Sequence, residues 1–348
     1  MDEVFYRLPE TTAYHYLSGK AVKLDGIGDL QGRSGFVFAP FHADANSSIV
    51  LLSAVHPESA EVPTSAVSSA VAFSEESHRE AYHEAFARLH GAIDDRDLGK
   101  VVLSRRADIE VASPVDAREV FFKACRLYPH QMIVLVSTEL TGTWLMATPE
   151  LLLERKDNCW ATMALAGTMT TPGPWSDKNL REQYIVTTYI RERLLRHSYM
   201  VRQIPPRTVM AARLYHLQTD FEFHLNDDAD IVKVLADLFP TPAVCGMTKQ
   251  RALEAILSEE GLDRKYYSGF CGLWNLPVDK AAAGEPGNSD GSGNAGNTAT
   301  ALYVSLRCME MDGMRLHLYA GGGLLDVSDE DTEWEETEKK LQTMKALL

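Results

Sequence analysis

Acidic residues on two helices are the first place where this sequence could do chemistry. Glu182 falls in the first turns of the predicted helix DKNLREQYIVTTYI, and Glu333 and Glu336 fall in EDTEWEETEKK at the start of the last predicted helix. Positions 333, 336 and 340 share one helical face, because offsets of three and four are neighbours on a helix. Two carboxylates and Lys340 therefore stand together. Carboxylates drawn from two helices suit a hard, oxygen-seeking Mg²⁺, with water and substrate filling the remaining positions. The same acids would also suit a solvated first turn that complements the helix dipole.

Next is YAGGGLLD at 319–326. Three glycines between a strand and a helix can expose N–H groups to a carboxylate or phosphate; a tight turn is the competing reading. Arg307, in YVSLRCM, has the fork of donors that would complete a carboxylate site, or is a solvated strand residue. Lys100 opens the strand KVVLSR, and Glu150 follows a proline in MATPELL, in a turn suited to the edge of a cavity. Either could equally be a surface charge. His216, in LYHLQT, stays open between a structural and a catalytic role.

The elements that position these residues are read from apolar periodicity. FVFAPF at 36–41 and IVLLSAV at 49–55 read as strands. Tyr82, Phe86, Leu89 and Ile93 mark a helix over 75–93 capped by Ser74. A strand follows from Lys100, then a helix started by Ser113-Pro114-Val115-Asp116. Residues 131–138 and 142–148 read as one hairpin, 151–155 and 159–165 as another. Helices are expected at 178–197, 229–239 and 248–259, strands at 268–276, 300–309 and 314–320, and a last helix at 329–347 capped by Ser328. The Gly/Ser/Asn-rich stretch 280–298 reads as a mobile loop, either a surface insertion or a lid. Hairpins without a βαβ rhythm point to an α+β fold, two antiparallel-rich sheets with helices outside.

Composition narrows the function classes. With 34 basic and 49 acidic residues the net charge is −15. That disfavours nucleic acid and anionic membrane surfaces as partners. A hydrophobic fraction of 45% and a charged fraction of 24% suit a folded soluble enzyme. Five cysteines without a CxxC pair fit neither a disulfide framework nor a zinc site. No signal peptide is legible in MDEVFYRLPE, so a cytoplasmic protein is expected.

Order and context add what single residues cannot. KVVLSR, TPELL, LAGTM, DKNLREQY, YHLQT, LFPTPAVCG, RKYYSGFCG, VSLR, YAGGG and DEDTEWEETEKK occur in that sequence over residues 98–348. The series resembles the signature of the chorismate-utilising enzymes, and within them the isochorismate synthase branch. The resemblance implies that Lys100 is the general base activating water for attack at C2 of chorismate. It implies that Glu150 is the general acid at the departing C4 hydroxyl. Glu182, Glu336 and Glu333 resemble the Mg²⁺ shell, and Tyr267 and Arg307 the pair that holds the enolpyruvyl carboxylate. Gly167, Thr168, His216, Ala243, Gly321, Gly322, Gly323 and Lys340 would line the same pocket. It further implies a core over 98–348 and a shortened N-terminal part over 1–97 that adds strands and a helix to the scaffold.

The same resemblance separates related chemistries. Aminodeoxychorismate synthases typically carry Lys where this chain has Ala166 in LAGT, and anthranilate synthases typically lack the base that Lys100 matches. Salicylate synthases resemble a Thr-Ala pair where Ala243-Val244 stands here. Water is therefore the expected nucleophile and isochorismate the expected product. Salicylate synthesis and a non-catalytic chorismate-binding subunit remain as alternatives, and a monomer is expected. Acid–base work of this kind asks for a buried Lys100 with cationic charge nearby, and for Glu150 held protonated by a raised pKa.

Overall fold

Short continuous apolar runs build most of this molecule: successive strand residues point to opposite faces, and strands such as Gly35–Ala39 and Ile49–Leu52 are buried on both. The computed structural model describes residues 2–53, 57–64, 71–95, 98–156, 159–212, 214–277 and 298–348. The expected mobile loop at 280–298 lies almost wholly outside the described residues. Within them, two ten-stranded sheets form with antiparallel pairing throughout.

In the first sheet, Lys100–Val111 lies between Gly246–Met247 and Arg315–Leu324. Cys308–Asp312, Gly142–Thr148, Met132–Thr138, Asp2–Arg7, Ala13–Gly19 and Glu58–Glu61 continue the order, and Phe73–Glu76 pairs with Lys100–Val111. The second sheet runs Ser198–Gln203, Leu214–Leu225, Cys159–Met169, Leu151–Lys156, Thr298–Val304, Phe270–Pro277, Gly35–Ala39, Ile49–Leu52 and Ala21–Leu24. Arg207–Ala211 pairs with Leu214–Leu225.

Six helices cover the sheets among the described residues: α1 Arg79–Asp95, α2 Ala117–Leu127, α3 Asp177–His197, α4 Ile231–Leu238, α5 Lys249–Glu259 and α6 Glu330–Lys345. Val4 and Tyr6 point inward to meet Phe36 and Phe38 of the facing sheet. Phe5 points outward into the layer that includes Phe121 of α2 and Leu341 of α6. Val37 points outward into the layer formed with α3 and α4. Each apolar side chain moved from water into these layers contributes about 1.5–3 kcal/mol. No helix among the described residues is long and apolar enough to cross a membrane.

Local chemistry moves several boundaries. Phe73–Glu76 is a strand and α1 begins only at Arg79, because those four residues extend the edge of the first sheet. Asp116, not Ser113, caps α2: its carboxylate accepts from the N–H groups of Arg118 and Glu119 at 2.8 and 3.3 Å. Asp329, not Ser328, caps α6, accepting from the Thr332 N–H at 3.0 Å, while the Ser328 hydroxyl accepts from the Leu325 N–H. The expected strand 300–309 is broken between Val304 and Cys308, where the chain leaves one sheet for the other.

Candidate active site

Two such crossings place two of the candidate residues. Thr148-Pro149-Glu150 joins Gly142–Thr148 of the first sheet to Leu151–Lys156 of the second, and Arg307 sits in the return crossing. Both open on a cleft with about 650 Å³ of empty space, its mouth included. Gly167, Thr168, Glu182, His216, Ala243, Tyr267, Gly321–Gly323, Glu336 and Lys340 line the same cleft. Lys100 and Glu333 lie directly behind its glycine wall. The structure therefore brings together all the residues singled out from the sequence.

The three glycines work differently from a cradle of N–H groups. They are ladder residues, with Gly321, Gly322 and Gly323 paired to Ser104, Leu103 and Val102. What matters is the missing side chain. A Cβ on Gly323 would lie 2.2 Å from Glu182 Oε1 and 2.5 Å from Lys100 Cε. One on Gly322 would lie 3.1 Å from Glu333 Oε2, and one on Gly321 would lie 2.9 Å from the Tyr267 hydroxyl. The glycines thus make a bare floor on which charged side chains from α3, α6 and the neighbouring strand converge.

On this floor every carboxylate has a lysine. Lys100 Nζ, fully buried, lies 2.7 Å from Glu182 Oε1 but outside hydrogen-bonding geometry. Lys340 Nζ donates to Glu336 Oε1 at 2.6 Å and to the Gly321 carbonyl at 2.8 Å. Lys178 donates to Glu333 Oε1, leaving Glu333 Oε2 buried without a partner. Burial works to raise the pKa of Glu182, but Lys100 and Lys178 outweigh it and hold the carboxyl below its usual value. Glu336 is likewise held low, with Lys340 and Lys178 overcoming burial. Glu333 goes the other way: burial raises it more than Lys178 lowers it. Lys100 is buried as expected, but its immediate neighbour is an anion rather than a cation.

The donor set on the floor fits a hard divalent cation. It offers carboxylate oxygens from two helices, one of them buried and unpartnered, over backbone with no side chain to obstruct them. The three carboxylates are not drawn together around one point. Among the described residues, the trio of ligand atoms within 4.8 Å of one another is Glu76, His78 and Asp108, at the other end of Lys100–Val111.

The opposite wall is built without counter-charges. Glu150 is 3% exposed, and burial raises its pKa to about 8 against the opposing pull of Lys100 and Lys340. Arg307 has no acidic partner within 4 Å among the described residues. It donates instead to Thr343 Oγ1 at 3.2 Å and to His216 Nε2 at 3.1 Å. His216 Nδ1 carries the ring proton, because it faces the Gly167 carbonyl at 2.8 Å. Burial, with help from Arg307 and Lys340, drives the His216 pKa down to about 3, so the ring stays neutral. His216 is therefore an orienting group for Arg307. Tyr267 stacks on Tyr319 at 5.6 Å, and burial raises the pKa of its phenol. A buried, unpaired guanidinium facing a cleft is a ready anion site.

Residues 43–348 match the chorismate binding enzyme family. The chain belongs to that family. Among curated members of the chorismate binding family, isochorismate synthase MenF of Escherichia coli is 29% identical over 268 residues, covering 74% of this chain and 57% of that protein. The vibriobactin-specific isochorismate synthase of Vibrio cholerae is 26% identical over 283 residues, covering 77% of this chain and 66% of that protein. The chain thus matches less than two thirds of the length of either relative. The solved structure of the menaquinone-specific isochorismate synthase MenF of Escherichia coli superposes with a TM-score of 0.78 at 20% identity, over 100% of this chain and 89% of that one. The shared fold is the two-sheet architecture described above.

Three groups beside the site escaped the sequence reading. Lys178 stands one helical turn before Glu182, and the i, i+4 spacing was the available signal. Arg264 and Glu260 form a buried ion pair that ties the pocket walls together, with Arg264 donating to the carbonyls of Val102 and Val244 at 2.8 Å each. Ser268 lines the cleft with a fully buried hydroxyl, and no spacing rule points to it.

Proposed function

We propose that this chain is an isochorismate synthase, converting chorismate to isochorismate. The observation that carries the proposal is Glu150, a buried carboxyl kept protonated to about pH 8 in the same cleft as the unpaired Arg307. A protonated acid beside an anion site is what loss of a hydroxyl from a small dicarboxylate requires.

In this mechanism Arg307 and Tyr267 hold the enolpyruvyl carboxylate, and His216 keeps the guanidinium in place. Lys100 takes a proton from water as its oxygen bonds to C2. The ring double bonds shift, and Glu150 gives its proton to the C4 oxygen, which leaves as water. One water enters and one departs, so the change is an isomerisation. Glu182, Glu336 and Glu333 are the residues that would hold Mg²⁺. The ion, when bound, supplies a cationic anchor for the ring carboxylate. Lys340, paired with Glu336, would add a further positive charge for the substrate.

The lysine base must give up its own proton, and here the Glu182 pairing matters. Lys100 Nζ lies 2.7 Å from Glu182 Oε1, so a carboxylate is the immediate neighbour of the base. The assigned residues all lie within 98–348, which we take as the catalytic core with 1–97 as scaffold. The five cysteines are all free, which supports a reducing, cytoplasmic setting, and we take the chain to act as a monomer.

The test is product analysis after incubation with chorismate and Mg²⁺. Isochorismate without pyruvate is expected. Salicylate with pyruvate would make the chain a salicylate synthase, and binding without turnover would make it a chorismate-binding subunit.

A further inference from the structure

Six buried hydroxyls among the described residues have no hydrogen-bond partner: those of Tyr82, Ser104, Ser198, Thr241, Ser268 and Ser305. Of these, Ser268 alone lines the cleft. It is 0% exposed. A buried hydroxyl without a partner is costly and rare, and at a ligand site it marks where a ligand atom arrives.

The backbone sharpens the point. Ser268 holds φ 62° and Arg307 holds φ 46°, left-handed conformations disfavoured for any residue with a Cβ. These two face the same cleft across a pair of backbone hydrogen bonds. The Ser268 N–H donates to the Ser305 carbonyl and the Ser305 N–H donates to the Gly269 carbonyl, each at 2.9 Å. The latch fixes Ser268 in a conformation that glycine would adopt more easily, yet the residue carries a hydroxyl. The Ser268 hydroxyl lies near enough to the Tyr267 phenol to favour its ionised form, without completing a hydrogen bond to it. Arg307 already commits donors to Thr343 and His216. A carboxylate has about four lone-pair sites to satisfy, so it needs donors besides the guanidinium.

We propose that the Ser268 hydroxyl is a substrate-binding group that donates a hydrogen bond to a carboxylate oxygen of the bound substrate, beside Arg307 and Tyr267. This rests on the functional reading above, with chorismate as the carboxylate ligand. The left-handed backbone at Ser268 sets this residue among those that line the cleft.

The experiment compares wild type with Ser268→Ala and Ser268→Gly, reading kcat and KM for chorismate alongside the melting temperature. A hydrogen bond to a charged group predicts a KM raised about tenfold or more in both variants, with kcat within about twofold of wild type. Neither variant should melt below wild type, because each deletes an unpaired buried hydroxyl, and Ser268→Gly should melt above Ser268→Ala because it relieves the left-handed backbone. If wild type turns over chorismate and both variants keep the wild-type KM, the proposal fails and the functional reading stands. A raised KM matched by a lower melting temperature in both variants would make the hydroxyl structural and also overturn it. If wild type neither binds nor converts chorismate, both readings fall together.

Discussion

Glu150 and Glu182 are the same residue type, buried in one cleft and both influenced by Lys100, yet they hold opposite charge states. Glu182 lies 2.7 Å from Lys100 Nζ and stays ionised. Glu150 has no ion pair among the described residues, and burial raises its pKa to about 8. The cleft thus divides into a floor, where Lys100, Lys178 and Lys340 each face a carboxylate, and a wall, where Glu150 is neutral and Arg307 is unpaired. Desolvation sets Glu150 on the wall, while nearby lysines overcome it at Glu182 and Glu336 on the floor. One side stores a proton, and the other stores charge that a cation can reorganise.

The largest effect should come from Lys100→Ala, which removes a group from both sides of this division. We expect kcat to fall about 10³-fold while chorismate still binds, checked by steady-state kinetics and by calorimetric titration with chorismate. Retained turnover would remove Lys100 as the base.

Glu150→Gln comes next, with an expected loss in kcat of about 10²–10³-fold. Wild-type activity should fall as pH rises through about 8, where the acid loses its proton. Stability follows the same sign. The folded pKa lies above the unfolded value, so the contribution from Glu150 is complete below about 4.5 and is lost as pH rises towards about 8. Melting curves from acid to alkaline pH should therefore show wild type declining relative to Glu150→Gln across that window. Parallel curves would mean that Glu150 titrates normally.

Glu182→Gln tests the floor. The Mg²⁺ concentration for half-maximal activity should rise about tenfold or more, since one of the few hard oxygen donors is weakened. An unchanged metal requirement would move the ion elsewhere. A purely structural effect is expected from Lys178→Met, which strands Glu333, only 1% exposed, without its partner. Chemical denaturation should show a loss of about 2 kcal/mol, below the usual range for a buried pair because Lys178 is itself part-exposed.

Much of this division was legible in the sequence, but unevenly. The helical spacing of 333, 336 and 340 put Glu336 and Lys340 together, and they do form an ion pair at 2.6 Å. Short continuous apolar runs separated by polar turns located the hairpins, because strands buried on both faces leave that signature. Three glycines in a row suggested an N–H cradle, whereas they are ladder residues whose value is the space they leave. That role depends on what approaches from α3 and α6, which no local pattern contains. Nor could the sequence say that Glu150 and Arg307 occupy crossings between sheets, since a crossing is a property of pairing. Ser268 was silent for the same reason: burial and a missing partner exist only in three dimensions.

The central claim is that Glu150 is neutral in this cleft while Glu182 and Glu336 on the floor are held ionised. Titration of the protein with ¹³C-labelled glutamate carboxyls, followed by NMR, tests it directly, using Glu150→Gln to assign the signal. A resonance absent from that variant and titrating near 8 is the expected result. A Glu150 resonance titrating in the ordinary carboxylate range would contradict the account.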